Sequence, residues 1–428
     1  MRFRVLLVVL ALVAFGLPIN ATAATNAWSA WSGPAAQIVD VAISTSAANE
    51  IYAISKNAVF RSNDGGSTWQ SLAAPGGSEL NDIAVESWPT TRLYVANYAG
   101  QGQPGLYRSD DVGQSWQAVF SGDPPAISKV TVSDDPPGRV TIGGDDRFPS
   151  SHYAILQSDD RGATWREVYR AQSTFGAGAI TTLAPYGNSV LAGTLVYHGG
   201  GLLRVPSEGA TFLEGSRPQN GFSTPGTIAT GRTAAYPIYV QWTANGPFVL
   251  ASLRKSSDGG QSWQDVTPPL QGNSGEQATQ SGPHLTALAV DPAHPNIVLV
   301  AANWADAAGR PTVGVLMSRD GGATWAQLGG ALPVARIGAL AYSEARQSVY
   351  AATDQGVWQY TISAPPPSAE IAPWFRAYYD AHDGFRLLGR PLAPPGMTGR
   401  YPSQLFEKGR VEDHSAEESD PNWRIMYG

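Results

Sequence analysis

One eight-residue pattern, Ser-x-Asp-x-Gly-x-(Ser/Thr)-Trp, recurs five times along the 428-residue chain, and it constrains the fold more than any other feature. The copies run from Ser62 through Asp64, Gly66 and Thr68 to Trp69, and likewise over Ser109–Trp116, Ser158–Trp165, Ser256–Trp263 and Ser318–Trp325. A decayed sixth copy spans Val205–Phe212. In the Asp64 column the spacings are 47, 49, 47, 51 and 62 residues, a near-constant period. A unit of that size cannot bury its own apolar face and must stack on its neighbours.

Each copy follows a short apolar segment: Ala58–Phe60, Gly105–Tyr107, Ala154–Leu156, Gly201–Leu203, Val249–Ala251 or Gly314–Leu316. Upstream lie two more, such as Ile38–Ile43 with Ile51–Ala53 and Leu285–Val290 with Ile297–Val300, and a fourth strand follows the tryptophan. Four antiparallel strands per unit is the sequence form of a propeller blade. Arg336–Tyr342, Val349–Ala351 and Gly356–Tyr360 supply three strands of a last blade without a motif, and Trp28–Trp31 stands where its missing strand would come from. Lending that terminal strand removes a sheet edge. The expectation is an all-β, seven-bladed propeller over 24–363, with six blades as the alternative if the unit around Thr211 is incomplete. The 47 glycines and 32 prolines raise the question of disorder, but 43% hydrophobic residues build a large core.

Residues 1–23 read as a cleaved secretory signal: Arg2 and Arg4, a 13-residue apolar run over Val5–Leu17, then Ala21-Thr-Ala23. That run falls short of the roughly 20 residues that span a bilayer. The expected location is secreted or extracytoplasmic, with no membrane anchor after cleavage. Loss of two arginines leaves 26 basic against 35 acidic side chains, a net charge of −9. With four lysines and no basic cluster, nucleic acid is a poor partner. The absence of cysteine excludes disulfides, thiolate metal sites and cysteine nucleophiles.

The repeated pattern is identified as the Asp-box, or bacterial neuraminidase repeat, and the propeller region resembles that sialidase-like superfamily. Read physically, Asp64, Asp111, Asp160, Asp258 and Asp320 accept backbone N–H bonds across a tight hairpin, helped by the Ser and Thr hydroxyls. Gly66 and its equivalents supply a backbone angle that other residues disfavour. Trp69, Trp116, Trp165, Trp263 and Trp325 then bury against neighbouring sheet. A calcium loop would need denser oxygen ligands and a closing glutamate. The motif reads as structural.

In families resembling this one, ligands bind on the face opposite the motif hairpins. Loops expected there carry Tyr98, Arg147 and His152, Tyr197 and His198, Glu276, and Trp304, Asp306 and Arg310. Aromatics beside amides, acids and arginines suit a glycan or a protein ligand. A sialidase site implies three arginines on the substrate carboxylate, a tyrosine–glutamate pair and an aspartate. Its first arginine precedes the first box, yet residues 24–60 contain none. Arg147, Arg232 and Arg310 with Tyr98 or Tyr197 and Glu276 are what such a site would draw on. Hydrolases of plant polysaccharides that resemble this chain pair two propellers, and this chain has one. Single seven-bladed assembly factors of photosystem II, used as binding platforms, match in size. The six histidines show no metal-ligand spacing, and neither a phosphate loop nor a serine-nucleophile elbow occurs. No catalytic residue, metal or cofactor is assigned. The expectation is a monomeric, non-catalytic binding or scaffolding protein, the alternative a sialidase-like or other glycoside hydrolase.

Residues 364–373 read as a proline-rich linker and 374–428 as a small α+β module. The module has a helix from Trp374 ended by Gly384, two strands around the Lys408-Gly409 turn, and a further strand near Asn422–Tyr427. Leu388-Gly-Arg-Pro391 is similar to a signature linked to cell-wall attachment.

Overall fold

Every repeat folds as an antiparallel four-stranded sheet whose first strand is innermost and whose last is outermost, and seven such sheets form a β-propeller. The computed structural model describes residues 27–362 except 32, 34–35, 46, 48, 76–78, 88–89, 99–102, 135, 147–151, 173–177, 197–198, 207–208, 218–222, 232, 245–250, 271–283 and 306–309. Of the C-terminal segment it describes 371, 375–376, 378–379, 388, 396–398, 401–406, 409–414 and 425–427. The signal segment and all of the linker but Ile371 lie outside these residues. Blades one to six occupy 40–72, 80–120, 126–172, 179–212, 223–265 and 284–328. Blade seven combines Ile337–Ser343, Ser348–Thr353 and Gly356–Thr361 with the N-terminal strand Trp28–Ala30, which pairs Trp28 with Tyr360 and Ala30 with Trp358. The unit around Thr211 is a full blade: Thr211–Phe212 pairs with Leu203 and Arg204.

The core is a ring of seams. Among the described residues each neighbouring pair of blades shares one apolar cluster, seven in all, such as Tyr52, Ile54 and Val59 of blade one against Leu80, Leu93 and Val95 of blade two. Six inner strands carry a register shift near their start, at Asn81, Ser128, Thr181, Gly226, Thr286 and Gly338. Such bulges free backbone groups to bond elsewhere. Here side chains carry bonds from blade to blade: Ser128 Oγ donates to Ile180 O at 2.8 Å, and Gln241 Nε2 to Leu285 O at 2.6 Å.

Each motif closes the hairpin between third and fourth strands. In the first copy Thr68 N–H and Oγ1 donate to Asp64 Oδ1 and Oδ2 at 2.9 and 2.6 Å, while Ser62 Oγ accepts from Gly66 N at 2.7 Å. The other four copies repeat this set. The motif glycines have φ between 91° and 97°, and the place of a side chain is filled by the preceding blade, as by Leu72 at Gly113 and Val266 at Gly322. The motif tryptophans are half-buried, less than expected, because they lie on outer-strand ends against that same preceding blade. In the decayed copy Gly209 keeps φ at 75° but meets nothing within 4 Å, and Phe212 is 56% exposed. Before the fourth intact motif the strand runs over Ser252–Ser256, one residue past Ala251, where the expected segment ends; the rest of that segment, 249–250, lies outside the described residues, and each motif's serine is the last residue of its strand.

Hydroxyl and backbone donors hold the carboxyls of Asp111, Asp160 and Asp258 down to about 2. In Asp64 and Asp320 partial burial pushes the other way, and the same bonds outweigh it. A depressed folded-state value adds stability above the ordinary carboxylate range that is lost as pH falls through about 2. The urea midpoint is therefore expected to fall between pH 5 and pH 2.5, and Asp160→Asn to flatten that fall. An equally steep fall in the variant would remove Asp160 from the account.

In the C-terminal segment Gly396–Thr398, Tyr401–Phe406, Gly409–Asp413 and Ile425–Tyr427 form a four-stranded sheet, whose first strand the sequence reading missed. Phe375 and Tyr379 pack with Leu388, Phe406 and Val411 as its core. Phe375, Arg376, Tyr378 and Tyr379 have helical backbone, and the rest of the expected helix lies outside the described residues. Among the described residues no helix is long and apolar enough to cross a membrane.

Candidate functional site

On the face opposite the motif hairpins, the expected residues form two local pairs. Tyr98, just past the second strand of blade two, places its hydroxyl 3.0 Å from both oxygens of Asp145 in blade three. Asp145 is buried at the end of its strand. His152 Nδ1 lies 3.3 Å from Asp146 Oδ2, closing the base of the same blade-three loop. His152 and Trp304 belong to strands, not loops: His152 opens His152–Ser158, and the strand Val298–Ala305 carries Trp304. The Trp304 ring covers Gly314 on the adjacent strand, where an added Cβ would come within 2.9 Å of it. Arg310 is exposed beside Pro311 on blade six, across the ring from blades two and three. Arg147, Tyr197, His198, Arg232, Glu276 and Asp306 lie outside the described residues.

At the other mouth of the central channel, on the side of the motif hairpins, lies a cavity of about 410 Å³. The inner strands of blades one, four, five, six and seven end around it. Ile43, Leu183, Ile228, Leu288 and Leu340 supply an apolar wall, with hydroxyl residues Ser44, Thr230 and Ser343 at the strand ends. Among the described residues lining it, Glu344 is the one carboxylate.

Deeper in the channel wall, three inner strands share a line of charge. Asp40 Oδ1 and Oδ2 accept from Val41 N and, in the next blade, Ile83 N at 2.8 and 3.1 Å. Asp82 repeats the arrangement, accepting from Val130 N and from the Lys129 ammonium, each at 2.8 Å. Burial, reinforced by the charge of Asp82, pushes the Asp40 carboxyl up to about 7. Burial works against the Lys129 ammonium, and Asp82 and Asp40 more than offset it.

A second polar cluster sits at the cavity rim. Asp291, fully buried, follows the first strand of blade six, and Glu344 occupies the same position in blade seven. Asp291 Oδ1 accepts from the N–H groups of Ala293 and His294 at 2.9 and 3.2 Å. His294 Nδ1 lies 3.1 Å from Asp291 Oδ2 and 3.3 Å from Glu344 Oε1. Histidine spacing along the chain carries no signal of this cluster, because its third member is 50 residues from His294. Superposing blades six and seven by their first strands would have aligned Asp291 with Glu344.

No protein-family model matches the chain, and no curated protein does. Among solved structures it is similar to YCF48 bound to D1 peptide, with TM-score 0.53 and 16% identity over 79% of this chain and 98% of that one. It is also similar to the GH74 xyloglucanase from Xanthomonas campestris, with TM-score 0.58 and 16% identity over 94% and 67%. A third is the extracellular domain of a one component system from B. thetaiotaomicron, with TM-score 0.55 and 10% identity over 93% of this chain and 46% of that one. At these identities the likeness is one of fold, and the fold hosts unrelated functions.

Proposed function

We propose that the chain is an exported, monomeric, non-catalytic binding propeller of the Asp-box group, which takes a protein segment into the channel mouth on the motif-hairpin side. The observation that carries this reading is the cavity: apolar walls, hydroxyl residues at the strand ends and, among the described residues, one carboxylate lining it. Glycoside hydrolysis in its usual form needs two carboxyl groups facing the substrate about 5–9.5 Å apart. Asp291, which clusters with Glu344, is fully buried and bonded within its own loop. An apolar wall suits an aliphatic or aromatic side chain of a peptide better than a polyhydroxylated sugar. The structure of YCF48 with a peptide supports a propeller of this kind as a peptide platform.

The test pairs a peptide-display selection with a glycan array and a fluorogenic glycosidase panel on the purified protein, each repeated with Ala341→Arg. Ala341 lines the cavity, and arginine there fills it. The expected outcome is peptide binding, no turnover, and binding at least tenfold weaker in the variant with an unchanged far-UV circular dichroism spectrum. Turnover of a glycoside, or glycan binding indifferent to Ala341→Arg, would move the function to the opposite face and to the hydrolase alternative.

A further inference from the structure

The geometry points to a divalent metal site at the seam of blades six and seven, formed by Asp291 Oδ2, His294 Nδ1 and Glu344 Oε1 and suited to a zinc-class ion. One ligand atom from each of the three residues lies within 4.8 Å of those of the other two. His294 Nδ1 stands 3.1 Å from Asp291 Oδ2 and 3.3 Å from Glu344 Oε1. Zinc binds nitrogen and carboxylate oxygen at about 2.0–2.2 Å, so neighbouring ligands of a tetrahedral site stand about 3.3 Å apart. The two histidine–carboxylate separations match that spacing, and the two carboxylates stand within 4.8 Å of each other, close enough for a small side-chain adjustment to seat an ion among all three.

The donor set selects the class of ion. One imidazole and two carboxylates suit zinc and its first-row neighbours, whereas magnesium and calcium favour all-oxygen shells. Two carboxylates converge on one ring nitrogen, and a proton on that nitrogen points along one line only, so it satisfies one of them well. A metal ion satisfies all three donors together. The arrangement is also preorganised. The two backbone N–H bonds to Oδ1 fix the Asp291 carboxylate and leave Oδ2 toward the histidine. These are the outer contacts that orient a metal-binding carboxylate. Because the ligands come from two blades, the ion would also pin that seam. The site shares Glu344 with the cavity wall, and zinc binding is read without any peptide, so the failure of one proposal is distinguishable from the failure of the other.

Isothermal titration of the untagged, chelator-treated protein with zinc chloride tests the assignment, with magnesium chloride as the hard-ion control. The expected result is one saturable zinc site per chain, a thermal midpoint raised by zinc, and no magnesium response. Glu344→Gln and His294→Ala should each weaken zinc binding tenfold or more and remove the thermal shift. Glu344→Gln keeps the backbone carbonyl that accepts from Gln347 N and Nε2, so the loop retains its own bonds. Circular dichroism of each variant confirms that it is folded. Absence of saturable zinc binding, or zinc affinity and thermal shift unchanged in both variants, would overturn the proposal. In the second case the ion sits elsewhere, as beside His414 and Glu412.

Discussion

Trp28→Ala together with Trp31→Ala is expected to lower the thermal midpoint by roughly 5–9 °C and to make the protein self-associate. The N-terminal strand completes the last blade from the start of the chain, and these two indoles fasten it. Trp28 Nε1 donates to Leu328 O at 2.9 Å, and its ring lies 5.3 Å from Tyr360. Trp31 stands 5.1 Å from Phe60 and 5.0 Å from Trp69, both edge-on, and its backbone N–H bonds Val357 O at 2.8 Å. Truncating a buried tryptophan costs about 3–5 kcal/mol, and these are half-buried, so about 2–3 kcal/mol each is a fair scale. They touch different neighbours, which favours near-additivity. At about 2.1 cal/mol/K of unfolding entropy per residue, a propeller of about 340 residues moves its midpoint by about 1.4 °C for each kcal/mol. Loosening the strand also uncovers the backbone edge of Gly356–Thr361, a template for pairing with another chain. Calorimetry and sedimentation velocity read the two effects. A double variant that stays monodisperse and melts within about 2 °C of the parent would show that the ring holds without this closure.

That closure was legible in the sequence, since Trp28 to Trp31 mimic a strand following a motif that is not there. So was the hydrogen-bonding job of each motif residue, because Ser, Asp, Gly and Thr leave few alternatives in an eight-residue turn. Other features were hidden for physical reasons. His152 and Trp304 were read as loop residues, yet the second and third strands extend outward until a bulky ring can cover a glycine such as Gly314. The cavity was hidden because Ile43, Leu183 and Leu288 alternate like any other inner-strand residues, and alternation does not tell a blade seam from a channel wall. The sequence reading looked for ligands on one face through loop composition, while the described residues place the cavity at the other. The pairing of His294 with Glu344 depends on a lateral step from one blade to the next, which no local pattern encodes.

Asp40→Asn is expected to reverse part of the protein's pH dependence, gaining on the parent by on the order of 2–4 kcal/mol between pH 5 and pH 8. Asp40 sits on the innermost strand of blade one with its carboxyl pushed up to about 7, by burial first and by the charge of Asp82 second. Lys129 and the N–H groups of Ile83 and Val41 pull the other way without cancelling these. An unfolded chain releases this proton near pH 4. From about pH 4 to pH 7 the folded protein therefore holds a proton that the unfolded chain has lost. Its contribution to stability is complete below pH 4 and disappears as pH rises through 7, the opposite of the motif aspartates, whose contribution disappears in acid. Asparagine keeps one acceptor oxygen and never ionises, so the variant escapes the loss. At pH 5 it should be no more stable than the parent, since one N–H bond is weakened. By pH 8 it should match or exceed it. Urea unfolding of both proteins across this range reads the difference, and Lys129→Met in the parent should move the decline to higher pH by removing the ammonium that favours the charged carboxylate. A stability difference that stays flat from pH 5 to pH 8 would mean that Asp40 is ionised throughout and that the channel wall carries its charge without penalty.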